Sequence, residues 1–191
     1  MARVTVFASG NGSNFEAIVK ALQGTSHRVV CLISDNEKAY ALDRARRLQV
    51  PYHVFPFRTK TERRDSEEKI LNLLRSYGTD FIALAGFMKL LSPLLIDAYP
   101  NRIVNIHPSL LPKYPGTQGI RDSYLSGDRE LGITIHYVDY GLDTGPIIAQ
   151  RSFHRIGTET IEEIEEKIHA LEHEVYPKVL IDLLDALEQN K

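Results

Sequence analysis

Asn105 and His107 sit two residues apart at the end of a short apolar run, and the proline-rich stretch PSLLPKYPG follows at 108–116. An amide and an imidazole side by side can donate hydrogen bonds to a carbonyl oxygen as it gains negative charge. Residues two apart on a strand share a face, so both can reach one ligand. The prolines that follow forbid a helix or a central strand. The run therefore reads as a strand whose carboxyl end delivers both side chains to a stiff loop. A second polar cluster, DYGLDTGP at 139–146, carries Asp139 and Asp143 between two strand-like runs. A turn-rich loop of this kind can present a carboxylate to a neighbouring strand end. Beside His107, Asp143 would orient the imidazole and favour its protonated form. Taken singly, each residue also fits a plainer role, a structural histidine or an aspartate capping a turn. Spacing alone does not bring the two loops together.

The stretch SGNGSN at 9–14 raises a different chemistry. Gly10 and Gly12 permit a tight turn and a close approach of the backbone to a ligand. Ser13 and Asn14 open a helical pattern, where free N–H groups and the helix dipole favour an anion. The pattern points to a phosphate. A capped turn without a ligand is the alternative, because serine and asparagine are good N-caps. Gly10-x-Gly12, with Asp35 ending the second strand, is half of a dinucleotide fingerprint, but Phe15 stands where the third glycine belongs. No phosphate-loop lysine pattern occurs. Nicotinamide oxidoreductase and nucleotide hydrolase readings therefore lose support.

These groups need elements to hold them. Apolar runs at 4–9, 29–34, 52–55, 81–86, 102–107, 133–138 and 146–153 read as strands. Helical patterns at 13–22, 38–48, 60–77, 92–98, 117–126 and 159–188 lie between or after them. Near-continuous apolar strands alternating with helices argue for a parallel sheet covered on both faces. The expected fold is α/β and Rossmann-like: three layers, a mostly parallel sheet of about seven strands flanked by helices, and a long C-terminal helix. Open sheets of this class bind ligands beyond the carboxyl ends of their strands, where 9–14 and 105–107 both fall. In the last helix Ile161, Ile164, Ile168, Leu171 and Val175 form a core stripe, and Pro177 should kink or break it. HALEH at 169–173 matches an inverted zinc-protease pattern, but no third ligand cluster accompanies it.

The chain of 191 residues suits one domain over 1–191. With 43% hydrophobic and 25% charged residues, it can build a core and lacks the signature of disorder. A net charge of −2 and the absence of a long basic block argue against a nucleic-acid partner. Arg44, Arg46 and Arg47 read as the solvated face of a helix. No signal peptide or membrane-length apolar stretch is present, so a cytoplasmic protein without a membrane partner is expected. The single cysteine, Cys31, excludes an internal disulfide, fits a reducing compartment, and reads as a small buried side chain.

Four stretches together resemble the phosphoribosylglycinamide formyltransferases, folate-dependent enzymes of purine synthesis. They are SGNGSN at 9–14, LAGFMKLLSP at 84–93, NIHPSLLPKYPG at 105–116 and GITIHYVDYGLDTGPIIAQ at 132–150. The resemblance runs in order from Val4 to about Pro177. The Asn-x-His pair with SLLP is shared by the wider formyltransferase superfamily, and SGNGSN points to the glycinamide ribonucleotide branch. The resemblance implies transfer of a formyl group from 10-formyltetrahydrofolate, as co-substrate, to the amine of 5′-phosphoribosylglycinamide, with no metal. It implies catalysis by Asn105, His107 and Asp143, and a 5′-phosphate held by Gly12, Ser13 and Asn14. His169 and Glu172 would touch the glycinamide and ribose end. Folate would meet Arg63, Met88, Lys89, Leu90, Leu91 and Asn105, and the loop Asp139, Tyr140, Gly141, Leu142 and Asp143. The N-terminal half would bind phosphate and substrate, and the C-terminal half would bind folate and carry catalysis. A cis Leu111–Pro112 bond and a monomer or homodimer are also expected. A methionyl-tRNA formyltransferase would be expected to add a tRNA-binding domain, and a formyltetrahydrofolate hydrolase a regulatory one. A binding module without activity would leave Asn105, His107 and Asp143 an accident.

Overall fold

The computed structural model describes residues 1–57 and 59–189. The chain runs β1 (Arg3–Phe7), α1 (Ser13–Leu22), β2 (Arg28–Ser34), α2 (Tyr40–Arg47), β3 (Tyr52–Val54) and α3 (Lys60–Ser76). It continues with β4 (Phe81–Leu84), α4 (Pro93–Ala98), β5 (Ile103–His107) and α5 (Gly119–Leu125). A hairpin of β6 (Glu130–Tyr137) and β7 (Ile147–His154) and the long α6 (Ile161–Gln189) complete it. The seven strands form one sheet in the order β3-β2-β1-β4-β5-β6-β7. β1 to β5 pair in parallel, and β6 and β7 add an antiparallel edge. This is the expected three-layer α/β fold.

Alternation along the buried strands builds two cores. Val4, Val6, Ala83, Val104 and Ile106 face one cluster, which α1, α2 and α6 cover. Phe7, Ile33, Ile82 and Ile103 face the other, beneath α3 and α4. Fully burying a side chain such as Ile70 or Leu74 contributes about 1.5–3 kcal/mol, so each face is held mainly by area removed from water. The Cys31 thiol is buried, and burial pushes its pKa up to about 12, which leaves it unreactive.

Of the two outcomes expected at Pro177, a kink or a break, the break does not occur. A proline inside a helix costs about 3 kcal/mol, yet α6 is not broken there and continues to Gln189. Val175, Tyr176, Pro177, Leu180 and Leu184 are all buried, and that packing outweighs the lost hydrogen bond. The Tyr176 hydroxyl donates to Leu84 O at 2.9 Å and to Val104 O at 3.2 Å, which ties α6 to the carboxyl end of β4 and to the start of β5.

Strand order reverses around β1 and β4. The chain leaves β1 for β2 and β3 on one side, and leaves β4 for β5 on the other. Such a switch point opens a crevice beyond the carboxyl ends of the strands. The loops after β1, β4 and β5 all lead into it.

Candidate active site

The crevice is a cavity of about 300 Å³. Its walls come from residues 10–14 after β1, 84–91 at the end of β4 and beyond, 105–108 at the end of β5, and His136, Val138, Asp139 and 141–143 at the end of β6 and beyond, with His169 and Glu172 from α6. The loops after β1 and β4 are joined directly: Ser9 N–H donates to Gly86 O at 3.0 Å, and Met88 N–H donates to Ser9 Oγ at 2.8 Å.

The loop after β1 turns at Gly12, whose φ of 76° is in the left-handed region that favours glycine. Gly12 is the N-cap of α1, and no side chain caps the helix. The plain capped turn that Ser13 and Asn14 could have made is therefore not what forms. Asn14 Nδ2 donates instead to Glu172 Oε2 at 3.0 Å, and Asn14 Oδ1 is buried with no partner among the described residues. Glu172 is itself buried, and it also holds His169 Nδ1 at 3.0 Å. That carboxylate raises the His169 pKa above its ordinary value. Within HALEH, His169 is thus paired to Glu172, and its ring stacks at 6.4 Å on His173.

Strand β5 brings Asn105 and His107 to the same wall. His107 Nε2 donates to Tyr114 O at 2.8 Å, and Gly119 closes that side: an added Cβ there would lie 3.0 Å from Nε2. Nδ1 is left facing Asp143 Oδ2 at 3.4 Å. Asp143 has φ 54°, and its Oδ2 accepts from Gly116 N–H at 2.8 Å. The proline loop and the turn after β6 therefore meet through this carboxylate. Asp139 does other work. Its Oδ1 accepts from Gly141 N–H at 3.0 Å and from Thr144 Oγ1 at 2.7 Å, an Asx turn that shapes the loop around Asp143.

One residue of the network is not singled out by the sequence patterns. His136 lies opposite Asn105 in the β5–β6 ladder. Its Nδ1 donates to Tyr137 O at 2.8 Å, so Nε2 is bare in the neutral ring and accepts from Asn105 Nδ2 at 3.2 Å. Burial lowers its pKa and keeps it in that neutral form. Asp143 Oδ1 is 3.7 Å from the same Nε2. The signal for His136 was the antiparallel register, which needs a pairing that periodicity alone does not supply.

The remaining candidates fall in different places. Met88, Lys89, Leu90 and Leu91 line the cavity, with Met88 and Leu90 half-exposed at its mouth. Gly141 and Leu142 also line it. Tyr140 is exposed, and its hydroxyl bonds Asp97. Arg63 lies behind the wall: its guanidinium bonds Leu90 O and pairs with the buried Glu67 at 3.5 Å. Glu67 in turn accepts from Ser92 N–H at 2.9 Å. Arg64 points to solvent and pairs with Glu68. The Leu111–Pro112 bond is cis. The reading of Arg44 as part of a solvated face needs correction. Arg46 and Arg47 are exposed, but Arg44 is folded onto Asn11 and Glu16. Among the described residues, no group of three or more His, Cys, Asp or Glu could hold a metal ion, and no helix is long and apolar enough to cross a membrane.

A doubly wound sheet with a glycine loop at its switch point, and an amide, an imidazole and a carboxylate meeting beside it, defines an enzyme site for group transfer. The formyl transferase family matches residues 2–180, and the chain belongs to that family. The chain is similar to phosphoribosylglycinamide formyltransferase of Bacillus subtilis, 42% identical over 186 residues that cover 96% of this chain and 95% of that protein. It is also similar to the crystal structure of phosphoribosylglycinamide formyltransferase from Streptococcus pneumoniae, with TM-score 0.90, 41% identity, and 96% and 99% of the two chains covered. Glycinamide ribonucleotide transformylase 1 from Geobacillus kaustophilus matches with TM-score 0.89 and 47% identity over 96% and 99% of the chains.

Proposed function

We propose that this chain transfers the formyl group of 10-formyltetrahydrofolate to the amine of 5′-phosphoribosylglycinamide, a step of purine biosynthesis. The observation that carries the reading is a single cavity walled by the glycine loop, the apolar 88–91 segment and the Asn105, His107, Asp143 set. Gly12, Ser13 and Asn14 hold the 5′-phosphate at the uncapped start of α1. Glu172 and His169 receive the glycinamide and ribose end. The apolar side chains of Met88, Leu90, Leu91 and Leu142 suit a flat heterocycle at the mouth, with Lys89 and the 139–143 loop around the folate and Arg63 bracing the Leu90 carbonyl from behind.

The chemistry then follows from physical need. The acceptor amine resembles an α-amino group, with pKa about 7.7–8, so a useful fraction is neutral near pH 7 without a strong base. Attack on the formyl carbon puts negative charge on the formyl oxygen. Asn105 and His107 supply the donors for that charge. Asn105 is aimed by its bond to His136, and His107 is fixed by Tyr114 O. An imidazolium donates from both ring nitrogens, so it can keep Tyr114 O and still serve the substrate from Nδ1. Asp143 supports that charge and passes a proton from the attacking amine towards the leaving nitrogen. No serine or cysteine nucleophile takes part.

The test is a spectrophotometric assay with glycinamide ribonucleotide and 10-formyltetrahydrofolate. Wild type and His107→Ala run side by side, with folding checked by circular dichroism. Transfer lost by orders of magnitude in a folded variant supports the reading. Formate released without a formylated amine would overturn it in favour of a hydrolase.

A further inference from the structure

Helix α2 has no part in the chemistry above, yet it is packed directly behind the glycine loop. A Cβ added at Gly12 would lie 2.6 Å from Ala41 Cβ and 2.7 Å from Ala41 Cα. Ala41 N–H donates to Gly10 O at 3.0 Å. Arg44, three residues along, reaches the next peptide. Its Nε donates to Asn11 O at 2.9 Å, and its Nη2 donates to Asn11 Oδ1 at 2.9 Å. Its Nη1 pairs with Glu16 in the first turn of α1. The guanidinium also lies over the Tyr40 ring, 5.0 Å from its centroid. The side chain is only 18% exposed, and all three guanidinium nitrogens are engaged.

The consequence lies in the peptide planes. A trans peptide holds its C=O and N–H antiparallel. Holding the Gly10 carbonyl turns the Asn11 N–H away from α2. Holding the Asn11 carbonyl does the same for the Gly12 N–H. Neither N–H has an acceptor among the described residues, and both residues line the cavity. Successive N–H groups aimed one way make an anion-binding concavity.

We infer that Arg44 is a positioning residue for the substrate phosphate: from behind the loop, its fork fixes the Asn11–Gly12 peptide so that the backbone N–H groups face the anion. Arg44 does not itself touch the phosphate, and Glu16 already answers its charge. The inference rests on assigning the glycine loop to the phosphate, as above. It also distinguishes arginine from lysine, because an ammonium cannot hold two acceptors with a planar fork.

The experiment compares two acceptors, glycinamide ribonucleotide and the same molecule without its 5′-phosphate, at fixed 10-formyltetrahydrofolate. The ratio of their kcat/KM values measures what the phosphate is worth to each enzyme. Arg44→Gln should lower that ratio roughly tenfold, the scale of one weakened hydrogen bond to a charged group. The loss should fall on KM of the phosphorylated acceptor, with KM for the folate substrate at its wild-type value. Arg44→Lys should fall between the two. A folded Arg44→Gln with the wild-type ratio overturns the positioning role and leaves the phosphate assignment standing. A wild type that does not distinguish the two acceptors overturns the assignment itself. If Arg44→Gln does not fold, Arg44→Lys, which keeps the charge beside Glu16, decides: an unchanged ratio there overturns the inference.

Discussion

Replacing Asp143 with asparagine removes one charge and almost no volume. Asparagine also tolerates the left-handed backbone at this position, where φ is 54°. Its carbonyl oxygen can still accept from Gly116 N–H, so the contact between the two loops survives. The ion pair with His107 does not. His107 Nδ1 and Asp143 Oδ2 are 3.4 Å apart, and their side chains are 4% and 10% exposed, so solvent screens them weakly. When His107 carries a proton in the transition state, unit charges at that separation attract by at most about 5 kcal/mol at an effective dielectric constant of about 20. Each 1.36 kcal/mol lost from the transition state slows the reaction about tenfold. Relaxation and entering water recover part of the attraction, so kcat should fall about 10³-fold. KM for the ribonucleotide should change little, because residues 12–14, the proposed phosphate site, are untouched. The assay is formyl transfer at saturating substrates, with thermal melting and circular dichroism to establish folding. A folded Asp143→Asn enzyme that loses less than about tenfold would refute the reasoning, since the carboxylate would then not support a charged His107.

Further outcomes follow from other groups. Lys20 first and Arg44 next hold the Glu16 carboxylate at about 2 instead of 4.5. Its contribution to stability is complete above 4.5 and is lost as pH falls towards 2, so Glu16→Gln should flatten the decline of Tm across that window. Tyr176→Phe removes the buried hydroxyl that donates to Leu84 O and Val104 O, which should cost about 0.5–1.5 kcal/mol and lower Tm by roughly 1–6 °C in differential scanning calorimetry. Glu172→Gln removes the charge that raises the His169 pKa, so the His169 titration followed by NMR should move to lower pH; an unmoved titration would place the cause elsewhere.

Much of the fold could be read directly because its strands are buried and its helices are punctuated. Runs such as VVCLI at 29–33 and FIALAG at 81–86 have no polar interruption, the pattern of strands in a sheet covered on both faces. Pro177 was harder, since a local rule about proline competes with the burial of Tyr176 and Leu180 around it. At the site, Asn105 and His107 share a face by simple alternation, and that much is visible without coordinates. Their approach to Asp143 is not, because it depends on the proline loop and the 139–143 turn folding towards one another. His136 needed the β5–β6 register. Arg44 misled for a similar reason: three arginines within four residues look like a solvated face, and only the packing of α2 against α1 shows that one of them turns inward. Asp139 and Asp143 are equivalent in composition, and hydrogen bonds alone separate the turn former from the residue that faces the imidazoles.

The central claim is that one cavity holds both substrates, with the phosphate at residues 12–14 and the heterocycle against 88–91, so that amine and formyl carbon meet beside Asn105 and His107. The most direct measurement is a crystal structure with glycinamide ribonucleotide and a folate analogue that carries no transferable formyl group. The account predicts phosphate oxygens within hydrogen-bonding distance of the Gly12 and Ser13 N–H groups, and the amine within reach of the Asn105, His107, Asp143 cluster. A phosphate bound elsewhere, or an amine held away from that cluster, would contradict it.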